Sequence, residues 1–211
     1  MIKEKVRLRF SKLDRARFLS HHDLMRIFAR SLRRAQTPVR MTEGFNPRPR
    51  IVFAQALPLG ESSADEIVEV ELSDWLRPKE MIGRLNGVLP AGLKILSADL
   101  VPPKRAGAAV RCAAYEVAGF PPGEDFSPRV ADILSRREML VERLRKGNRQ
   151  TADIRPGILS LRWDSGKLHM ELAAGEGGGK GSPRPEELAR HVLGRDPESP
   201  FEVLKTKTVL A

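Results

Sequence analysis

The residue types best suited to chemistry crowd into the first fifty positions. Fourteen of these are Lys or Arg and four are acidic (Glu4, Asp14, Asp23, Glu43), a net charge of +10; the rest of the chain carries 23 of each sign. Charge segregated in this way gives the electrostatic field a direction, which suits a polyanion such as a phosphate backbone. Most of these cations are Arg, whose planar fork grips phosphate through two hydrogen bonds and stacks on bases. The candidate contacts are Arg7 and Arg9, then Arg26, Arg30, Arg33 and Arg34, then Arg48 and Arg50, with Phe45 and Asn46 placed to meet a nucleotide. Phe18 and Phe45 are the aromatic rings available for stacking, the plainer reading of Phe45 being a loop residue tucked under the fold. The plainer reading of the same charge is a solvated basic surface.

His21 and His22 invite a catalytic reading, but neighbours on a helix point about 100° apart and do not face one ligand. Roles at a helix start, or a phosphate contact at its free N–H groups, suit them better than general acid–base catalysis. His169 and His191 have no partner at metal-ligand spacing. A second polar group comprises Lys146, Arg149, Asp153 and Arg155. In an extended segment Asp153 and Arg155 share a side and either pair with each other or line a polar pocket. Gly175 to Ser182 falls short of a phosphate-cradling loop, because Gly181 separates Lys180 from Ser182. Cys112 stands alone, which excludes an internal disulfide and a thiolate cluster. No metal or cofactor is expected, no hydrolase elbow or zinc-protease pair is present, and an enzyme is the less favoured reading.

Backbone elements must position these groups. Val6, Leu8 and Phe10 alternate with Lys5, Arg7 and Arg9, the pattern of a half-buried strand with a basic outer face. Ser20 to Asp23 has the form of a capping box, and Leu24, Ile27, Phe28, Leu32 and Ala35 follow at helical spacing with Arg26, Arg30, Arg33 and Arg34 opposite. Thr37-Pro38 stops that helix. Gly44 to Arg50 is a loop stiffened by two prolines. Strands at Ile51 to Ala56 and around Val68 to Leu72, a helix from Pro78 and a strand at Leu93 to Leu100 complete a β-α-β-β-α-β order. After a linker, the order recurs: a strand at Cys112 to Gly119 and a helix with Ser127 as N-cap. A strand at Met139 to Leu144 (or a longer helix from Pro128 to Arg145) follows. Ile154 to Trp163 and Leu168 to Ala173 form a hairpin, Pro185 to Leu193 a helix and Phe201 to Leu210 a last strand. The expected class is α+β, two tandem ferredoxin-like (βαββαβ) halves with antiparallel sheets: residues 1–101, a linker at 102–110, and 111–211. No apolar run reaches the length of a membrane span, and a cytoplasmic location is expected.

Five stretches carry a resemblance. Phe18-Leu19-Ser20-His21-His22-Asp23-Leu24-Met25-Arg26, then Arg33-Arg34-Ala35, and Glu43-Gly44-Phe45-Asn46-Pro47-Arg48-Pro49 resemble the bacterial radical SAM-linked protein family, as do Ala56 to Gly60 and Asp153 to Pro156. The resemblance implies a partner that is a radical SAM enzyme of cobalamin type and a genomic setting near RNA-processing and ribosomal genes; it supplies no catalytic residues. The chain lacks the three-cysteine cluster motif such an enzyme needs. The expected function is a non-catalytic RNA-binding accessory acting with that enzyme, possible roles being RNA or ribosome modification. Two alternatives stand beside it: a metal-independent endoribonuclease of paired ferredoxin-like type, and an interaction module docking an acidic partner.

Overall fold

Val6, Leu8 and Phe10 are all buried on one face of the first strand, β1 (Glu4–Lys12), and the helices of the N-terminal unit pack against that face. The computed structural model describes residues 4–102, 105–145, 147–174 and 181–211. They form a mixed α+β structure with four helices and ten strands among the described residues, in antiparallel sheets. The chain divides into two compact units, one ending at Ala109 and taking in Ala211, the other Val110–Leu210.

In the first unit β1 is followed by a 3-10 turn (Asp14–Phe18), α1 (His21–Arg34), β2 (Ile51–Phe53), β3 (Ser62–Leu72), α2 (Pro78–Asn86) and β4 (Leu93–Val101). The strands lie in the order β4-β1-β3-β2, each antiparallel to its neighbour. Leu24, Phe28 and Leu32 of α1 bury against Val6, Leu8, Phe10, Val68 and Val70. The Phe28 ring meets Phe10 at 4.9 Å and Phe53 at 5.4 Å, both edge-on. Side chains of this kind contribute about 1.5–3 kcal/mol each on full burial.

The start of α1 is fixed by the capping box that its sequence implies. Asp23 N–H donates to Ser20 Oγ at 3.2 Å and Ser20 N–H donates to Asp23 Oδ2 at 3.3 Å, which satisfies two orphan donors. The Ser20 hydroxyl also donates to that carboxylate at 2.6 Å, and this bond is the main cause holding the Asp23 carboxyl below its ordinary value of 3.8. A lowered carboxyl stabilises the fold above its unfolded value, and the benefit is lost as pH falls through the lowered one. Ser20→Ala should cost about 1 kcal/mol in urea unfolding and return the Asp23 titration, followed by NMR, toward 3.8. An unmoved Asp23 titration would show that the box is not closed in solution.

The second unit runs β5 (Val110–Ala118), α3 (Ser127–Ser135), β6 (Leu140–Arg145), β7 (Asn148–Asp153), a 3-10 turn (Arg155–Gly157), β8 (Ile158–Asp164), β9 (Lys167–Ala173), α4 (Pro185–Leu193) and β10 (Glu202–Leu210). Its strands lie in the order β10-β5-β9-β8, while β6 and β7 pair with each other in a separate two-stranded sheet. Ser165 and Gly166 take positive φ values of 53° and 77°, as the tight turn between β8 and β9 requires.

Two local expectations are revised, and one open choice is decided. Ser127 is the first residue of α3, not its N-cap, which is Phe126; Asp125, one residue earlier, accepts from Ser127 N–H at 2.9 Å and from the hydroxyl at 2.7 Å. Ile154 to Trp163 is not one strand, because Pro156 and Gly157 interrupt it with a 3-10 turn. The helix from Pro128 ends at Ser135, so the strand reading of the following segment holds.

Candidate functional site

The alternation that buries Val6, Leu8 and Phe10 sends Lys5, Arg7 and Arg9 to the far face of the sheet, away from α1. There the register of β1 against β3 sets Arg7 opposite Glu69. Lys5 Nζ lies 2.6 Å from Glu69 Oε2, and Arg7 donates to Glu69 Oε1 from Nε at 3.1 Å and Nη2 at 2.7 Å. Arg9 Nη1 donates to both oxygens of Asp65, at 2.7 and 2.6 Å. Burial alone pushes the Glu69 carboxyl up, but the Lys5 and Arg7 hydrogen bonds outweigh it and hold the group below its ordinary value. Arg50 lies 3.8 Å from Glu71, which also receives Arg40 at 3.3 Å. The strand arginines and the helix arginines therefore do not merge into one cationic face: Arg7, Arg9 and Arg50 each have a carboxylate at hand.

The outer face of α1 is different. At about 100° per residue, Arg26, Arg30, Arg33 and Arg34 span roughly a quarter to a third of the helix circumference, opposite Leu24, Phe28 and Leu32. All four are exposed, and among the described residues none of them forms an ion pair, although Asp23 feels the charge of Arg26. His22, four residues before Arg26, extends this stripe by one turn and is exposed. His21 instead sets its ring edge-on to Phe53 at 5.3 Å, beside the core, with the two imidazoles 6.4 Å apart. The pair is thus split between a surface and a packing role, an arrangement poorly suited to shared acid–base work.

Where α1 ends, a hairpin arm begins. Four residues separate Arg34 from Val39, which bridges to Leu72 at the end of β3, and Arg40 N–H donates to the Glu71 carbonyl at 2.8 Å. Beyond that root Met41 bridges Pro49, Thr42 N–H donates to the Arg48 carbonyl at 2.8 Å, and Arg48 N–H donates to Thr42 Oγ1 at 2.9 Å. The tip carries Gly44, whose φ of 119° favours glycine, together with Phe45 and Asn46. Phe45 is 107% exposed, which removes the reading in which it is tucked under the fold. Arg48 is also exposed, with no ion pair among the described residues.

In the second unit Lys146 lies outside the described residues. Arg149 reaches Glu142 at 3.6 Å, both well exposed. Asp153 and Arg155 do not pair through their side chains, because the 3-10 turn at Arg155 ends the extended geometry the pairing needs. Asp153 Oδ1 accepts from Met139 N–H at 2.8 Å and Arg155 N–H at 3.0 Å. The Arg155 guanidinium donates to the carbonyls of Leu134 at 2.8 Å and Arg136 at 3.1 Å, so it fastens the end of α3. His169 Nδ1 is 3.9 Å from Glu116, and His191 is exposed on α4. Among the described residues no group of three or more His, Cys, Asp or Glu is placed to hold a metal ion. Residues 175–180 of the glycine-rich stretch lie outside the described residues.

Fold and site define a mixed α+β protein whose exposed chemistry is a guanidinium stripe on one helix beside a projecting arm. No described helix is long and apolar enough to cross a membrane. The chain belongs to the bacterial family described as an uncharacterized protein conserved in bacteria (DUF2344), whose family model matches residues 5–182. No curated protein matches it.

Proposed function

We propose that the outer face of α1 and the arm bind RNA through its phosphates, and that the protein acts without catalysing a reaction, presenting RNA or a ribosomal component to a radical SAM enzyme. The partner enters this proposal from the resemblance of the N-terminal segments alone. The observation that carries the RNA reading is the stripe itself: four arginines on one helix face that form no ion pair among the described residues. Elsewhere in the same unit the fold pairs Arg7, Arg9, Arg40 and Arg50 with Glu69, Asp65 and Glu71, so carboxylates were available and the stripe was left open. Exposed guanidinium groups repel one another, and a phosphate backbone relieves that repulsion while releasing counterions. We further read each unit's strand order, last-first-third-second with helices between, as the split βαβ arrangement of a ferredoxin-like half, with the hairpin of β6 and β7 as an addition to the second.

The test is filter retention of a radiolabelled RNA. Arg30→Glu combined with Arg48→Glu should abolish the salt-sensitive retention of the wild-type protein. Unchanged retention would sink the phosphate-binding reading.

A further inference from the structure

Among the described residues three aromatic side chains are strongly exposed: Phe18, Phe45 and Trp75. Phe18 is partly occupied, since the Arg17 guanidinium lies 4.8 Å from its ring centre. Phe45 and Trp75 belong to one end of the N-terminal unit. Trp75 follows Ser73 by two residues, and Ser73 donates to the Pro38 carbonyl through its N–H at 2.8 Å and its hydroxyl at 3.2 Å. Pro38 adjoins Val39, the root of the arm that carries Phe45, and lies four residues beyond Arg34. Leu76 is buried beside Trp75, so the backbone that presents the indole is anchored while Trp75 remains 54% exposed.

We propose that Trp75 and Phe45 are stacking platforms for unpaired bases, so that this end of the protein takes single-stranded RNA in preference to duplex. The proposal deepens the reading of the α1 arginines as phosphate contacts and rests on it. In a duplex the base faces are covered by their neighbours, and an aromatic ring reaches them only where the strand is unpaired. An exposed ring attached to a rigid support is suited to that contact, because little side-chain freedom is lost on stacking. The surrounding charge calls for a polyanion, and the exposed rings set within it favour nucleic acid over an acidic protein surface as the occupant. Arg33, Arg34, Arg48 and Arg77 have no ion pair among the described residues and lie on the helix end, the arm and the loop at this same end. Rings interleaved with guanidinium groups match a chain in which base and phosphate alternate.

The protein's two tryptophans make the experiment direct. Trp163 is half-buried against Phe120 at 4.9 Å and Phe126 at 5.0 Å in the second unit, so a ligand stacked on Trp75 changes the emission of Trp75 alone. The full-length protein is titrated with a 12-nucleotide oligouridine and with a 12-base-pair RNA duplex. Oligouridine should quench tryptophan emission and duplex should not. Trp75→Ala should remove the quench and weaken oligouridine binding about 5- to 100-fold, with Trp75→Phe restoring most of the affinity. Duplex binding as tight as oligouridine, with no quench and no effect of Trp75→Ala, overturns the stacking proposal while leaving the arginine stripe intact. Binding of neither RNA overturns both and leaves an acidic protein surface as the occupant.

Discussion

Glu69→Ala should lower the stability of the protein by about 3–5 kcal/mol, the usual cost of removing one partner from a buried ionic group. Glu69 is 2% exposed and neutralises two cations, Lys5 at 9% and Arg7 at 14% exposure. Among the described residues truncation leaves both charges without a carboxylate in contact, and only the neutral Arg105 carbonyl accepts from Lys5, at 3.2 Å. Lowering the pH should mimic the mutation. The Glu69 carboxyl is held below its ordinary value of 4.5, so its contribution is complete above that value and fades as pH falls through the lowered one. The companion variant makes the claim sharper. Lys5→Met, Arg7→Met and Glu69→Leu together exchange the whole group for apolar side chains, and should recover most or all of the loss, because no charge then stays buried. Urea midpoints by circular dichroism decide the matter. A Glu69→Ala loss under about 1 kcal/mol would mean that solvent reaches Lys5 and Arg7, as it does in surface pairs.

This buried network is also where the sequence was hardest to read. The alternation of Val6, Leu8 and Phe10 reveals a strand with one basic face, and the alternation of Glu69 and Glu71 with Val68, Val70 and Leu72 reveals a strand with one acidic face. Both faces were legible, and their complementarity was the available signal that they meet. What periodicity cannot supply is the register, which sets Arg7 opposite Glu69 and turns Arg7 and Arg9 from apparent ligand contacts into supports of the fold. Charge counted along the chain, rather than across strands, overstates the surface field for the same reason.

Local rules carried further where they act within a few residues. Ser20 and Asp23 announced the start of α1, Pro78 and Pro185 opened their helices as first-turn residues, and Thr37-Pro38 announced the end of α1. They failed at β7, Asn148–Asp153, which among the described residues pairs only with β6, where Leu140 and Leu144 are exposed. No residue of β7 is buried, so its own sequence carries no apolar period to detect. Trp75 shows the remaining limit. It lies in a short loop before a helix, and nothing in Asp74-Trp75-Leu76 says which of the two apolar side chains the fold buries.

Substituting single arginines of α1 and the arm should change the salt dependence of RNA binding in steps, and the strand arginines should not. Each phosphate contact on a single strand contributes about 0.7 to the slope of log affinity against log salt. Arg26, Arg30, Arg33, Arg34 and Arg48 all making contact give a slope of about 3.5, so affinity falls about 100-fold between 50 and 200 mM salt. Neutralising any one of them, as in Arg33→Gln, should reduce the slope by about 0.7 without altering the fold, because each is exposed and none forms an ion pair among the described residues. Arg9→Gln is the control. Its guanidinium is committed to Asp65 at 2.6 and 2.7 Å on the far face of the sheet, so the slope should stay as in the wild type. The comparison separates a directional phosphate surface from general stickiness: a protein attracted to RNA only by its net charge would lose the same fraction of slope at Arg9 as at Arg33. Equal losses at both positions would place the attraction in the charge total and not in the helix.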